Sequence, residues 1–272
     1  MRHIHLLALA SSMMTLTVFA SSEVCIDHAK NEIQINAHYI FYGSEARTET
    51  ARPCIDEINR MVNIGAQIQL NKKGLWRTLV AKVTHSILPE SDVAGFALSN
   101  TNPKYNIVRL DNPTDKSRVD VSEHSLNGNS GYFIVANKLG ASTTCTHEFG
   151  HGLGLNHPVP CDFRGKGVPP VMANRGCYVD QQFQYDTTVR AGLKGGTINP
   201  NSRKLHYKEI QALNFGDLDF KWVSQDKECA LQGHAQNRIY HRDGTSYTRS
   251  QLKSMESWSE QGLRFLKTHL NK

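Results

Sequence analysis

No two of the six cysteines in this 272-residue chain stand in a CxxC spacing. That argues against a closed zinc–thiolate site built on paired cysteines. Beyond residue 22 no stretch is apolar enough to span a bilayer. Glycine (20) and proline (9) are modest and hydrophobic residues make up 39%, which excludes a collagenous, low-complexity or wholly disordered chain. No internal repeat is visible. Basic stretches interleaved with aromatics are also missing, so the positive balance does not describe a nucleic-acid-binding protein. That balance is +6, and it is local. Residues 23–237 carry only +1, whereas 238–272 carry +4.

Residues 1–22 have the three-part layout of a secretory signal peptide. Arg2, His3 and His5 precede a mostly apolar run, Leu6 to Ala20, and small residues follow. Cleavage fits after Val18-Phe19-Ala20 or after Ala20-Ser21-Ser22. The run is too short for a membrane anchor. The expected protein is therefore secreted, without a transmembrane segment.

An even number of cysteines in an exported chain favours disulfides. The six are Cys25, Cys54, Cys145, Cys161, Cys177 and Cys229. Fifteen pairings are possible, and sequence cannot choose among them. Proximity along the chain suggests Cys25–Cys54 and Cys161–Cys177, leaving Cys145–Cys229.

Strands are expected at 32–42, 67–70, 78–87, 93–98, 105–110 and 131–136, where β-branched and aromatic residues gather. Helices are expected at 50–63, with Pro53 in the first turn, and at about 140–154. Residues 111–130 are polar and read as a long loop. This order implies an α+β (α/β-type) catalytic core.

The second helix carries His147-Glu148-Phe149-Gly150-His151. Histidines at i and i+4 share a helical face, so both imidazoles reach one metal ion. Glu148 lies beside the first of them, placed to take a proton from a water that the metal activates. Gly154 can adopt a positive φ and end the helix. The chain then returns His157 as a third ligand. Three histidines leave an open fourth position, which is a catalytic rather than a structural arrangement for Zn2+.

The full pattern, HExxHxxGxxH over 147–157, resembles the metzincin metalloproteases. The resemblance implies one catalytic zinc ion and peptide or protein as substrate. It implies a twisted, mostly parallel sheet with an antiparallel edge strand, an active-site helix and a methionine turn. Met172, in Val171-Met172-Ala173-Asn174, is the methionine so implied. It also implies that Gly95, Phe96 and Ala97 lie on the edge strand that aligns an extended substrate. Residues 206–216 resemble the family's last catalytic helix. One departure is plain: two positions after Met172 stands Asn174, where the serralysin branch has tyrosine.

The catalytic domain should span 23–230, leaving 231–272 as linker and C-terminal helix. Gly233 to Gly244 is polar, contains Arg238 and Arg242, and looks exposed and protease-sensitive. A long helix is expected from Thr245 or Ser246 to about Leu270. Leu252, Met255, Trp258, Leu263 and Leu266 recur on it at near-helical spacing. An exported metzincin with such a tail resembles the A subunit of a cholera-like bacterial AB5 toxin. That resemblance implies a homopentameric B subunit gripping the helix, and cleavage of host proteins. The other reading is a self-contained secreted protease whose helix packs on its own catalytic domain.

Overall fold

The computed structural model describes residues 21–70, 74–112, 123–124, 126, 128–233, 235–256 and 259–269. The expected leader up to Ala20, as well as Trp258 and Leu270, lies outside these residues.

One mixed sheet organises the chain. Its strands are β1 (Ser22–Asp27), β2 (Glu32–Tyr42), β3 (Gln67–Ile68), β4 (Arg77–Ile87), β5 (Tyr105–Asp111), β6 (Glu123–His124), β7 (Ser130–Ile134), β8 (Lys221–Ser224) and β9 (Lys227–Gln232). They run in the order β6-β7-β5-β2-β1-β9-β8, with β4 also on β2 and β3 on β4. β2 is the hub. It pairs in parallel with β4 over ten positions, while β1 takes the start and β5 the end of its other side.

The sheet is less parallel than expected. Parallel pairing joins β2–β4, β2–β5 and β5–β7; the β1, β3, β6, β8 and β9 pairings are antiparallel. The reason lies in the returning chain. Residues after 220 come back as the β8–β9 hairpin and add to β1, which no local pattern announces.

Alternation along β2 sorts the core into two layers, because successive side chains point to opposite faces. Ile33, Ile35, Ala37, Tyr39 and Phe41 join the cluster under α1 (Thr48–Val62) and α3 (Thr144–Gly152). Ile40 and Tyr42 join the cluster under α2 (Glu90–Ser99). Each fully buried residue of this size contributes about 1.5–3 kcal/mol. Helix α1 begins at Thr48, so Pro53 falls in its second turn rather than its first.

Three further sequence expectations are corrected. Gly95, Phe96 and Ala97 are not an edge strand: all three are buried in α2, packed against β2. Their apolar run is short, and a short run does not separate a buried helix from a strand. The disulfides are Cys25–Cys229, Cys54–Cys145 and Cys161–Cys177. Only the pair nearest in sequence was inferred correctly. Cys25 stands directly opposite Cys229 in the β1–β9 ladder, and Cys54–Cys145 ties α1 to α3.

The tail is the third. Two helices, α5 (Arg249–Met255) and α6 (Glu260–His269), replace the single one expected. Leu252 and Phe265 are buried against α2, and Met255 packs beside them. Phe265, absent from the expected docking set, makes edge-on contacts with Phe96 and Tyr105. Leu263 points outward, 45% exposed; the side chain of Leu266 is outside the description.

The preceding stretch is also embedded. Ile239 is fully buried and Tyr240 nearly so. The Tyr240 amide donates to the Tyr42 hydroxyl, and Arg109 donates to the Tyr240 carbonyl. The Arg238 amide donates to Ser130, and Arg242 pairs with Asp111. Such a backbone is a poor protease target, whatever the exposure of the two arginine side chains.

Candidate metal centre

Helix α3 is only nine residues long, below the length at which a helix is stable alone. It is held by its neighbours. Glu57, on the buried face of α1, accepts from the Thr146 amide and hydroxyl and from the Gly140 amide. Arg203, 5% exposed, donates through Nε to Thr143 and through Nη1 to the Ala173 carbonyl. The Cys54–Cys145 bond adds a covalent tie. The helix then stops at Gly152. Gly154 takes φ +91°, the left-handed value that a side chain resists. Leu155 bonds back to Gly150, and the chain reverses toward His157.

This reversal brings His147, His151 and His157 together. Nε2 of His157 lies 3.1 Å from that of His147 and 3.0 Å from that of His151. The Nδ1 atoms face away. Nδ1 of His147 donates to the Val171 carbonyl at 2.7 Å, and Nδ1 of His151 to the Leu155 carbonyl at 2.8 Å. These carbonyls accept only, so both rings carry their proton on Nδ1 and turn an Nε2 lone pair inward. One proton on His157 can serve only one of two converging lone pairs. A cation between the three nitrogens resolves that repulsion, and such outer partners are what orient metal-binding histidines. The donor set and the spacing therefore fit a metal ion.

Electrostatics agree. Burial is the main force holding all three imidazoles neutral, with the Arg203 charge adding to it at each. His151 is brought down to about 4. Nη1 of Arg203 also sits 2.9 Å from Nδ1 of His147. Because that nitrogen already gives its proton to Val171, the guanidinium proton goes to Ala173.

Glu148 is 5% exposed and lines the same cleft, about 650 Å³. Met172 lies beneath: its Sδ occupies the space a side chain on Gly150 would need. The strand at the sheet edge beside the cleft is β6. It pairs only with β7 among the described residues, and His124 and Leu126 line the cleft.

Glu57, Arg203, Glu209 and Gly150 were not singled out from the sequence. Two carried a signal. Glu57 is an acid on the apolar face of an amphipathic helix. Glu209 stands three residues after His206, the spacing of a capping box. Arg203, in a polar loop, carried none.

No family model matches the chain, and no curated protein matches it. Among solved structures, archaemetzincin from Methanopyrus kandleri is similar over 46% of this chain and 77% of its own, at 16% identity and a TM-score of 0.29.

Proposed function

We propose that the chain is a zinc-dependent endopeptidase. The observation that carries this reading is the convergence of three Nε2 atoms, two of them with inward lone pairs fixed by Nδ1 bonds to carbonyls, with Glu148 in the same cleft. His147, His151 and His157 would hold the ion. Zinc bound there supplies a Lewis acid for the scissile carbonyl and makes water acidic enough to attack near neutral pH. Glu148 takes the proton of the attacking water and delivers it to the leaving amine. Burial of Glu148 keeps bulk water from competing for that proton. Arg203 and Glu57 hold α3 so that Glu148 and the histidines keep their relative positions.

Three disulfides fit a chain that folds in an oxidising compartment. Among the described residues no helix is long and apolar enough to cross a membrane. Ser21 and Ser22 are fully buried, and Ser22 begins β1, so removal of a leader after Ser22 would take the first residue of that strand, which removal after Ala20 would not. Of the two readings of the tail, the burial of Leu252 and Phe265 against α2 supports a self-contained secreted enzyme. A B pentamer gripping the tail would have to use what these contacts leave exposed, such as Leu263.

The test is metal content and activity together. The purified chain should bind one zinc and hydrolyse an unfolded protein substrate, and a chelator should abolish hydrolysis. Glu148→Gln should retain fold and zinc while losing at least about 100-fold in activity. Full activity in that variant, or failure of the purified chain to hold zinc, would overturn the assignment.

A further inference from the structure

The wall of the cleft carries two further charges that the proposed chemistry does not use. Arg175 and Arg203 both line it, and among the described residues Glu148 is its one acid. Arg203 is anchored through Nε and Nη1; its Nη2 makes none of the hydrogen bonds found among the described residues. Arg175 is half-buried on the next turn and close enough to Arg203 for the two charges to interact. That turn is braced. The Gly176 amide donates to the Asn174 side chain, the Cys177 amide to the Asn174 carbonyl, and Cys177 is bonded to Cys161. No salt bridge to Arg175 is found among the described residues.

Glu148 and Glu57 already face the Arg203 charge, so the charge that an incoming anion would chiefly meet is that of Arg175. Guanidinium groups match the planar geometry of a carboxylate, which accepts paired hydrogen bonds. We propose that Arg175 and Arg203 form a subsite for a carboxylate on the substrate, adjacent to the bond that is cut. Arg203 also braces the fold, so Arg175 is the residue that tests the subsite. Two sources share this chemistry: an Asp or Glu side chain, and the free C-terminus of a peptide. The inference rests on the peptidase reading above.

The experiment uses the zinc-loaded full chain and a peptide pool with cleavage sites mapped by mass spectrometry. Matched peptides then carry Glu, Gln or Lys beside the mapped bond, and a second pair ends in a free acid or an amide. The expected result is a preference for the acid of at least about tenfold in kcat/KM, the scale of a charge-assisted hydrogen bond. A Glu-over-Gln preference assigns the side chain as source; an acid-over-amide preference assigns the C-terminus. Arg175→Gln should bring the ratio close to one, and Arg175→Glu should turn it toward Lys, with thermal melts checking that both variants fold. Parity in the wild type, or a preference untouched by Arg175→Gln, overturns the proposal. If no peptide is cut at all, the peptidase reading fails. Fluorescence anisotropy on Glu148→Gln protein, with one labelled peptide carrying Glu or Gln at a central position and ending in a free acid or an amide, still decides carboxylate recognition: acid-selective binding lost on adding Arg175→Gln supports it, and indifference to the charge sinks it.

Discussion

The carboxylate of Glu209 holds the backbone amide of Met172 at 2.7 Å. Its other oxygen accepts from the amides of Val171 and His206. One side chain in α4 (Tyr207–Ala212) thus fixes the turn beneath the histidines and caps its own helix. The Val171 carbonyl in turn orients His147, so the chain of support runs from Glu209 through the turn to a proposed metal ligand.

Glu209→Ala leaves three amides without that acceptor, and the two in the turn belong to buried residues. An unsatisfied buried group costs about 1–3 kcal/mol, so a loss of about 2–3 kcal/mol is expected in urea unfolding. Zinc affinity should fall about 10–100-fold, as it does when outer partners of metal ligands are removed. Competition with a chromogenic chelator measures it. Unchanged zinc affinity in a folded variant would mean that the turn positions itself without Glu209.

Gly150→Ala sets a helix gain against a packing loss. Alanine is better than glycine inside a helix by about 1 kcal/mol. Its Cβ would collide with Sδ of Met172, which is 2% exposed and cannot swing away freely. Overpacking costs about 1–3 kcal/mol, so net destabilisation is expected. Adding Met172→Ala to Gly150→Ala should cost less than the two single changes summed, because they share one contact. Strict additivity in a double-mutant cycle would refute the contact as the cause.

The convergence of His147, His151 and His157 beside Glu148 was legible because all four lie within eleven residues on one helix and its return. The helical period and Gly154 are local facts, and local facts survive in sequence. What was lost is non-local. Cys25 meets Cys229 across a separation of 204 residues because the last hairpin pairs with the first strand. Ala94 to Leu98 looks like a strand in isolation, and becomes a buried helix because β2 and the tail cover it from two sides. Arg203 reaches His147 over 56 positions through an irregular segment. No period or spacing encodes such a contact.

Glu57 gives the fold a pH dependence of definite sign. Burial raises its carboxyl from 4.5 to about 7, although three donors and Arg203 pull the other way. The folded state therefore holds its proton more tightly than the unfolded state, and stability falls as pH rises from about 4.5 to about 7. The full loss is up to about 3 kcal/mol. Urea midpoints from pH 4.5 to 8 should show this decline in the wild type, and less of it in Glu57→Gln. A decline of the same size in that variant would assign it to other groups.

The tail decides between a built-in element and a segment awaiting a partner. Phe265 is 7% exposed, with its ring 5.5 Å from that of Phe96. The buried carboxylate of Asp92 accepts from the Ser259 amide at 2.8 Å and from its hydroxyl, at the start of α6. Truncating a buried phenylalanine costs about 3–5 kcal/mol. If α6 belongs to the enzyme, Phe265→Ala should lower the melting temperature of the purified chain by several degrees and speed proteolysis at the newly loosened tail. Peptidase activity below that temperature should persist, since Phe265 lies in the layer beneath α2 and the histidines lie on the other face of the sheet. A tail that only serves a partner would leave the isolated chain indifferent to the change. An unaltered melt would therefore return the docking reading to first place.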